Sequence, residues 1–155
     1  PRTSTLCRFF YLVRNKEKTM TKEVILVSTD GTDLSRRAIK TALRLAKDLG
    51  LPLVGMTAVV SDPDAGIVDL DSQPETVRAT MHEVAELAEP TGVDYQLVVE
   101  HCLEPWEGIL DVAQRYNARY IVMGSRGLGS LGSLILGSET QKVLSAATRP
   151  VLVVR

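Results

Sequence analysis

Short apolar runs alternate with amphipathic stretches along most of this 155-residue chain. Consecutive aliphatic residues bounded by turn residues are typical of strands that are buried on both faces. Five such runs predict strands at residues 24–27, 53–60, 95–99, 120–123 and 151–154. Apolar residues at helical spacing predict four helices. The first spans 33–49, and the second begins at 74–75 and ends at a turn at 90–92. The third begins at 104–105, and the fourth runs from 138 to about 147. This alternation predicts an α/β domain whose parallel sheet is covered by helices on both faces.

One helix face and one connection carry more specific expectations. The first helix is expected to bury a single stripe and to end at Gly50. The residues of that stripe are Leu34, Ala38, Ala42, Leu45 and Leu49. The acidic connection at residues 61–74 is long for a compact domain, and loops of that length are usually functional or mobile.

Glycine is concentrated after the fourth predicted strand. That strand ends at Gly124, and further glycines follow at positions 127, 129, 132 and 137. Ser138 and Gln141 match a Ser-x-x-Gln capping box, which predicts Ser138 as the N-cap of the next helix. A strand, a glycine-rich loop and a helix N-terminus together form an anion cradle, and Arg126 adds a cation within it. The pattern therefore predicts a phosphate site.

Two familiar phosphate-binding motifs do not fit this loop. The P-loop requires a lysine after its last glycine, and this chain has none there. Residues 127–132 match Gly-x-Gly-x-x-Gly, but a dinucleotide site also needs an acidic residue about twenty positions further on. Arg149, Pro150 and Val151 occupy that region instead.

A third spacing fits, Gly124-x2-Gly127-x9-Gly137-Ser138. Together with residues 24–32 and 149–154, it resembles the ATP-binding branch of the universal stress protein family, over about residues 23–155. The alternation alone is compatible with the doubly wound order 2-1-3-4-5 or a close variant. The resemblance implies a doubly wound, five-stranded parallel sheet in the order 3-2-1-4-5. In that order Asp30, after strand one, would face Gly124 across the switch point, where such folds bind ligands.

The resemblance also implies a set of nucleotide-contacting residues. They are Asp30, Val59, Met123, Gly124, Arg126, Gly127, Gly137, Ser138, Glu139 and Thr140. Val59 would offer backbone groups to adenine, with Met123 packed nearby. Asp30 would bind ribose, the base edge or a bridging Mg²⁺, or else act as an Asx cap of the first helix. Thr140 is either a phosphate ligand or an ordinary surface threonine.

The sequence departs from the family pattern in two ways. Glu139 stands where a small or apolar residue is usual, and no basic residue occurs at 128–136. Both differences are expected to lower the affinity for a triphosphate. ATP is the expected ligand, and ADP and AMP are the alternatives.

Composition and charge argue against nucleic-acid-binding, membrane and disulfide-rich proteins. A net charge of −1 provides no electrostatic case for nucleic acid or an anionic membrane, and no apolar run reaches the ~20 residues of a membrane helix. Cys7 and Cys102 are too few for a disulfide framework and indicate a reducing, cytoplasmic compartment. Cys102 follows His101 but has no identifiable base geometry for a nucleophile.

The first twenty residues differ from the rest. They carry a net charge of +4, against −5 for the remaining 135 residues. We expect residues 1–20 to be an upstream extension or a cloning remnant that is poorly ordered. Residues 21–155 are expected to form a single nucleotide-binding domain.

The expected function is a nucleotide-dependent dimeric switch in stress response or signalling. The last strand, at 151–154, lies at the sheet edge in the order 3-2-1-4-5, and the resemblance implies a homodimer through it. The alternative is an ATPase or phosphotransferase. Because the P-loop lysine is missing, its turnover is expected to be slow.

Overall fold

Strands and helices alternate in the computed structural model, which describes residues 22–62, 70–126 and 136–155. The strands are β1 (Val24–Ser28), β2 (Leu53–Val60), β3 (Tyr95–Cys102), β4 (Ala118–Gly124) and β5 (Val151–Val154). The helices are α1 (Asp33–Leu49), α2 (Glu75–Ala88), α3 (Pro105–Arg115) and α4 (Ser138–Ala146), with short 3₁₀ turns at Leu70–Ser72 and Glu89–Thr91. Every predicted strand and helix is present.

The strands form one sheet in the order β3-β2-β1-β4-β5, with every neighbouring pair parallel. This confirms the order 3-2-1-4-5. Ser28 pairs with Met56 of β2 on one side and with Met123 of β4 on the other. The carboxyl ends of β1 and β4 therefore lie side by side at the point where the chain reverses its direction across the sheet.

Helices cover both faces of the sheet. Ile25 and Val27 point to the face that packs against α1 and α2, whereas Val24 and Leu26 point to the face that packs against α3 and α4. All four are fully buried, because alternate side chains of a central strand enter opposite cores. This is the physical origin of the uninterrupted apolar runs in the sequence.

Helix α1 has the predicted bounds. Thr32 is its N-cap and Gly50, with φ of 63°, is its left-handed C-cap. The predicted buried stripe is only partly right, since Leu49 is 39% exposed. The residues that α1 buries are Ser35, Ala38, Ile39, Ala42, Leu43 and Ala46. Small residues dominate this face because α1 packs closely on both β1 and β4.

Two strands are longer than their apolar runs. Strand β3 continues three residues past its predicted end, and Glu100 and His101 pair there with β2. The carboxylate of Glu100 is buried, but Arg115 of α3 forms an ion pair with it, so a charged residue is accommodated within the strand. Strand β4 begins two residues early, at Ala118, because that residue pairs with Val24.

The predicted extension at 1–20 lies outside the described residues, as do most of the glycine loop and the middle of the acidic connection. Within the described ranges, no helix is long and apolar enough to cross a membrane.

Candidate functional site

The first candidate motif lies directly after β1. Oδ1 of Asp30 accepts hydrogen bonds from the backbone N–H of Thr32 at 3.1 Å and from its hydroxyl at 2.7 Å. The Thr32 Oγ1 in turn accepts from the N–H of Ser35 at 3.2 Å and caps α1. Asp30 therefore forms the Asx turn that the sequence allowed, but Thr32 and not Asp30 is the N-cap. The Asp30 carboxylate is held, partly exposed, at the end of β1.

The second motif lies directly after β4, the neighbour of β1. Gly124 ends the strand and is buried, and the backbone N–H of Gly137 donates to the carbonyl of Ser125 at 2.8 Å. This bond brings the start of α4 back beside the end of β4. Because β1 and β4 are paired, Asp30 and the described ends of the glycine loop lie at the same edge of the sheet.

The capping-box prediction for α4 is wrong. The N-cap is Gly137, and Ser138 is the first helical residue. Gln141 donates its backbone N–H to Gly137 at 3.0 Å and its side-chain amide to the carbonyl of Leu136 at 2.7 Å, so it does not reach back to Ser138. As a result, the exposed hydroxyl of Ser138 takes no part in capping.

The first turn of α4 presents three backbone donors. Within the described ranges, no hydrogen bond uses the N–H of Ser138, Glu139 or Thr140. Unpaired N–H groups and the positive end of the helix dipole favour a bound anion.

Thr140 is not the surface threonine that one interpretation expected. It is buried, and its hydroxyl donates to the carbonyl of Gly124 at 3.0 Å. The hydroxyl hydrogen is therefore committed to the end of β4. Any contact of Thr140 with an anion would use its backbone N–H.

The partly exposed side chain of Glu139 reaches toward α3. Its Oε2 accepts a hydrogen bond from the backbone N–H of Trp106 at 2.8 Å, in the first turn of α3. Lys142 Nζ lies 3.4 Å from Glu139 Oε1 and 3.0 Å from Glu104 Oε2. Hydrogen bonding to Glu104, and then to Glu139, raises the pKa of Lys142. One carboxylate of α4 thus caps the N-terminus of α3.

The other predicted residues lie at or near the carboxyl edge of the sheet. Met123 is buried within the core on the α3 and α4 side, and Val59 is partly buried against the core on the α1 and α2 side. Arg126 is partly buried after β4. Gly127 lies outside the described residues.

Sequence reasoning missed a polar cluster at the ends of β2 and β3. His101 Nδ1 lies 2.6 Å from Ser61 Oγ, and His101 Nε2 lies 3.1 Å from Gln73 Nε2. Ser61 and Gln73 lie at the two ends of the acidic connection, so one imidazole joins both its ends to β3. No sequence signal reveals this cluster, because only the pairing of Val59 with His101 brings Ser61 to the ring.

Cys102 is unsuited to nucleophilic chemistry. Its thiol is buried, and desolvation, with the nearby carboxylate of Glu100, raises its pKa to about 11. The thiolate, which is the nucleophile, is therefore scarce at neutral pH. The described part of the chain also contains no group of three or more His, Cys, Asp or Glu residues that could hold a metal ion.

These features define a doubly wound α/β domain in which the ends of β1 and β4 meet at the switch point of the sheet. The family model that matches residues 22–155 is that of the universal stress protein family, and the chain belongs to this family. It is 36% identical over 137 residues to a universal stress protein of Thermus aquaticus, with 86% of this chain and 98% of the relative covered. Universal stress protein YxiE of Bacillus subtilis is 33% identical over 145 residues, covering 84% and 97%.

Solved structures show the same fold. A universal stress protein from Archaeoglobus fulgidus has a TM-score of 0.71 at 23% identity, covering 86% of this chain and 98% of the other. A universal stress protein in complex with cAMP has a TM-score of 0.63 at 26% identity, covering 86% and 97%.

Proposed function

We propose that this stress-response protein binds an adenine nucleotide in the crevice between β1 and β4. The observation that carries the proposal is the parallel pairing of β1 with β4, because it makes the strand ends before Asp30 and after Met123 neighbours. The hydrogen bond from Gly137 to Ser125 returns the start of α4, with its three unpaired N–H groups, to the end of β4. The glycine spacing around Gly124 and Gly137 supports it. So does the similarity to a family member whose solved complex contains cAMP.

The arrangement suggests a role for each part of the crevice. Phosphate oxygens would accept from the N–H groups at the start of α4, and Arg126 would supply the cation. Asp30 would bind a ribose hydroxyl or a bridging Mg²⁺. The backbone of Val59 and the side chain of Met123 would border the base, and Gly127 belongs to the proposed set by the family signature.

The same proposal includes assembly and signalling. The edge strand β5 would pair with its counterpart in a second copy, and nucleotide occupancy of the dimer would act as the signal in the cytoplasm. Leu152, in the centre of β5, is 40% exposed in the monomer, which suits a strand that gains a neighbour.

Calorimetry with Mg·ATP, ADP and AMP is expected to show one site per chain. At a ligand concentration of about 100 times Kd, binding would stabilise the fold by about 2.7 kcal/mol and raise Tm by roughly 5–10 °C. Arg126→Gln should weaken binding by about ten- to a hundredfold, since a charge-assisted hydrogen bond contributes about 1.5–3 kcal/mol.

Arg44→Gln is the matched control, since Arg44 is exposed on α1 and far along the chain from the crevice residues. It should leave the affinity unchanged. Absence of heat and of any thermal shift at millimolar nucleotide would refute the proposal.

Turnover is expected to be slow or absent, well below the roughly 1–100 s⁻¹ of kinases. The chain lacks the Gly-Lys-Ser/Thr end of a P-loop, so no lysine is placed to stabilise charge on a transferred phosphoryl group. Phosphate release from ATP is the measurement, with Asp30→Ala as the test and Asp33→Ala, exposed at the start of α1, as the control. Sustained release in the kinase range that only Asp30→Ala abolishes would favour the alternative, a phosphotransferase or ATPase.

A further inference from the structure

We infer that Glu139 makes this crevice select nucleotides of low phosphate charge, monophosphates or cyclic monophosphates, over triphosphates. The inference rests on the proposed nucleotide site and specifies which class of nucleotide occupies it.

The position of the Glu139 carboxylate is well defined. Glu139 lies in the first turn of α4, between Ser138 and Thr140, whose N–H groups form the proposed anion site. Its two oxygens have different partners, the N–H of Trp106 at 2.8 Å and Lys142 at 3.4 Å. The residue is only partly exposed. A negative charge is therefore held beside the place where phosphate would bind, and its hydrogen bonds oppose its swinging away.

The charges around this carboxylate do not cancel. Two carboxylates, Glu104 and Glu139, share one ammonium, that of Lys142. The N-terminus of α3 adds a partial positive charge of roughly 0.5. Apart from the N-terminus of α4, whose positive end the phosphate itself would use, the group stays negative.

The crevice offers little positive charge in return. Arg126 is the only basic residue between positions 124 and 141 of the sequence. One cation can balance a cyclic or single phosphate group, whereas each further phosphate charge meets net repulsion.

A purely structural role for Glu139 is the rival explanation, since the side chain caps α3. Glu139→Gln separates the two roles. The amide oxygen of glutamine can still accept from the N–H of Trp106, so the cap is kept, while the charge is removed. Lys142→Gln makes the opposite change, because it removes the cation and leaves both carboxylates.

The experiment is calorimetry of AMP, cAMP and Mg²⁺-free ATP with the full chain and its variants. The wild-type protein should bind AMP and cAMP more tightly than ATP. The quantity compared is the dissociation constant of ATP divided by that of AMP. Glu139→Gln should lower this ratio about three- to tenfold, as expected when one partly exposed negative charge near the phosphates is removed. Lys142→Gln should raise the same ratio. Both changes should shrink at high salt.

Glu86→Gln is the matched control, because Glu86 is exposed on α2, which packs on the opposite face of the sheet from α4. It should leave the ratio unchanged. Tighter wild-type binding of ATP than AMP, or a ratio that neither charge variant moves, overturns the inference while leaving the nucleotide site in place. Absence of binding for every nucleotide would refute the site itself and the inference with it.

Discussion

Replacing Arg115 by leucine is expected to lower the free energy of unfolding by about 3–5 kcal/mol, because it removes the cation that pairs with a buried carboxylate. Arg115 forms an ion pair with Glu100, whose side chain is only 4% exposed. A charge taken out of water without compensation is among the costliest defects in a protein core. In a chain of this length, the corresponding fall in Tm is roughly 6–20 °C. Urea unfolding followed by circular dichroism measures the loss.

Two further variants identify the cause. Asp111, the second partner of Arg115, is 58% exposed, so Asp111→Asn should change the stability by less than about 1 kcal/mol. Removing both charges, in Glu100→Leu/Arg115→Leu, should recover most of the loss, because an apolar pair of similar volume can replace a buried ion pair. If the single Arg115→Leu variant lost under 1 kcal/mol, the buried charge would not govern stability here.

The substitution Val153→Pro is expected to abolish the proposed dimer while leaving the monomer folded. The carbonyl of Pro150, just before β5, accepts a hydrogen bond from Ile121, and the carbonyl of Val154 accepts one from Ser125. Because successive residues of a strand direct their backbone groups to opposite sides, the N–H of Val153 points to the open edge of the sheet. Proline removes that donor, and its ring blocks the approach of a second strand. Sedimentation should show a wild-type dimer and a mutant monomer, with at least a tenfold loss of association.

The control uses the neighbouring residue. Leu152 points its backbone groups toward β4, so Leu152→Pro should break the sheet itself and lower Tm. Val153→Pro should keep the wild-type circular dichroism spectrum. A wild-type monomer, or an undiminished dimer in the folded Val153→Pro variant, would show that β5 is not the interface.

The sequence pattern predicted α1 well because its signals are local. Thr32, Gly50 and the intervening apolar spacing lie within one helix, and the structure confirms the bounds 33–49. Strands β3 and β4 were predicted too short for the opposite reason. The strand residues that the prediction omitted are polar or lie apart from the apolar run. They belong to strands only because they pair with β2 and β1.

In the candidate site, too, local motifs were predicted from the sequence, whereas contacts between distant residues were not. Gly124, Gly137 and Asp30 were identified by spacing and resemblance, and the pairing of β1 with β4 brings the strand ends that precede or contain Asp30 and Gly124 to one edge of the sheet. The capping box failed because Gly137 is held by Ser125, a contact that bridges the whole glycine loop. The buried hydroxyl contact of Thr140 was not predicted because its partner, Gly124, lies 16 residues away.

By itself, therefore, the sequence determined the strands and helices, the family and the glycine signature, because each rests on short-range periodicity or on a spaced motif. The tertiary structure decided which polar groups meet. Glu139 reaches Trp106 across 33 residues, and Ser61 reaches His101 across 40. Gly55 is required in β2 because a Cβ there would come within 2.6 Å of Val84 on α2. The physical reason is that a hydrogen-bond partner or a close contact is set by which element packs alongside, and the order of strands in the sheet decides this.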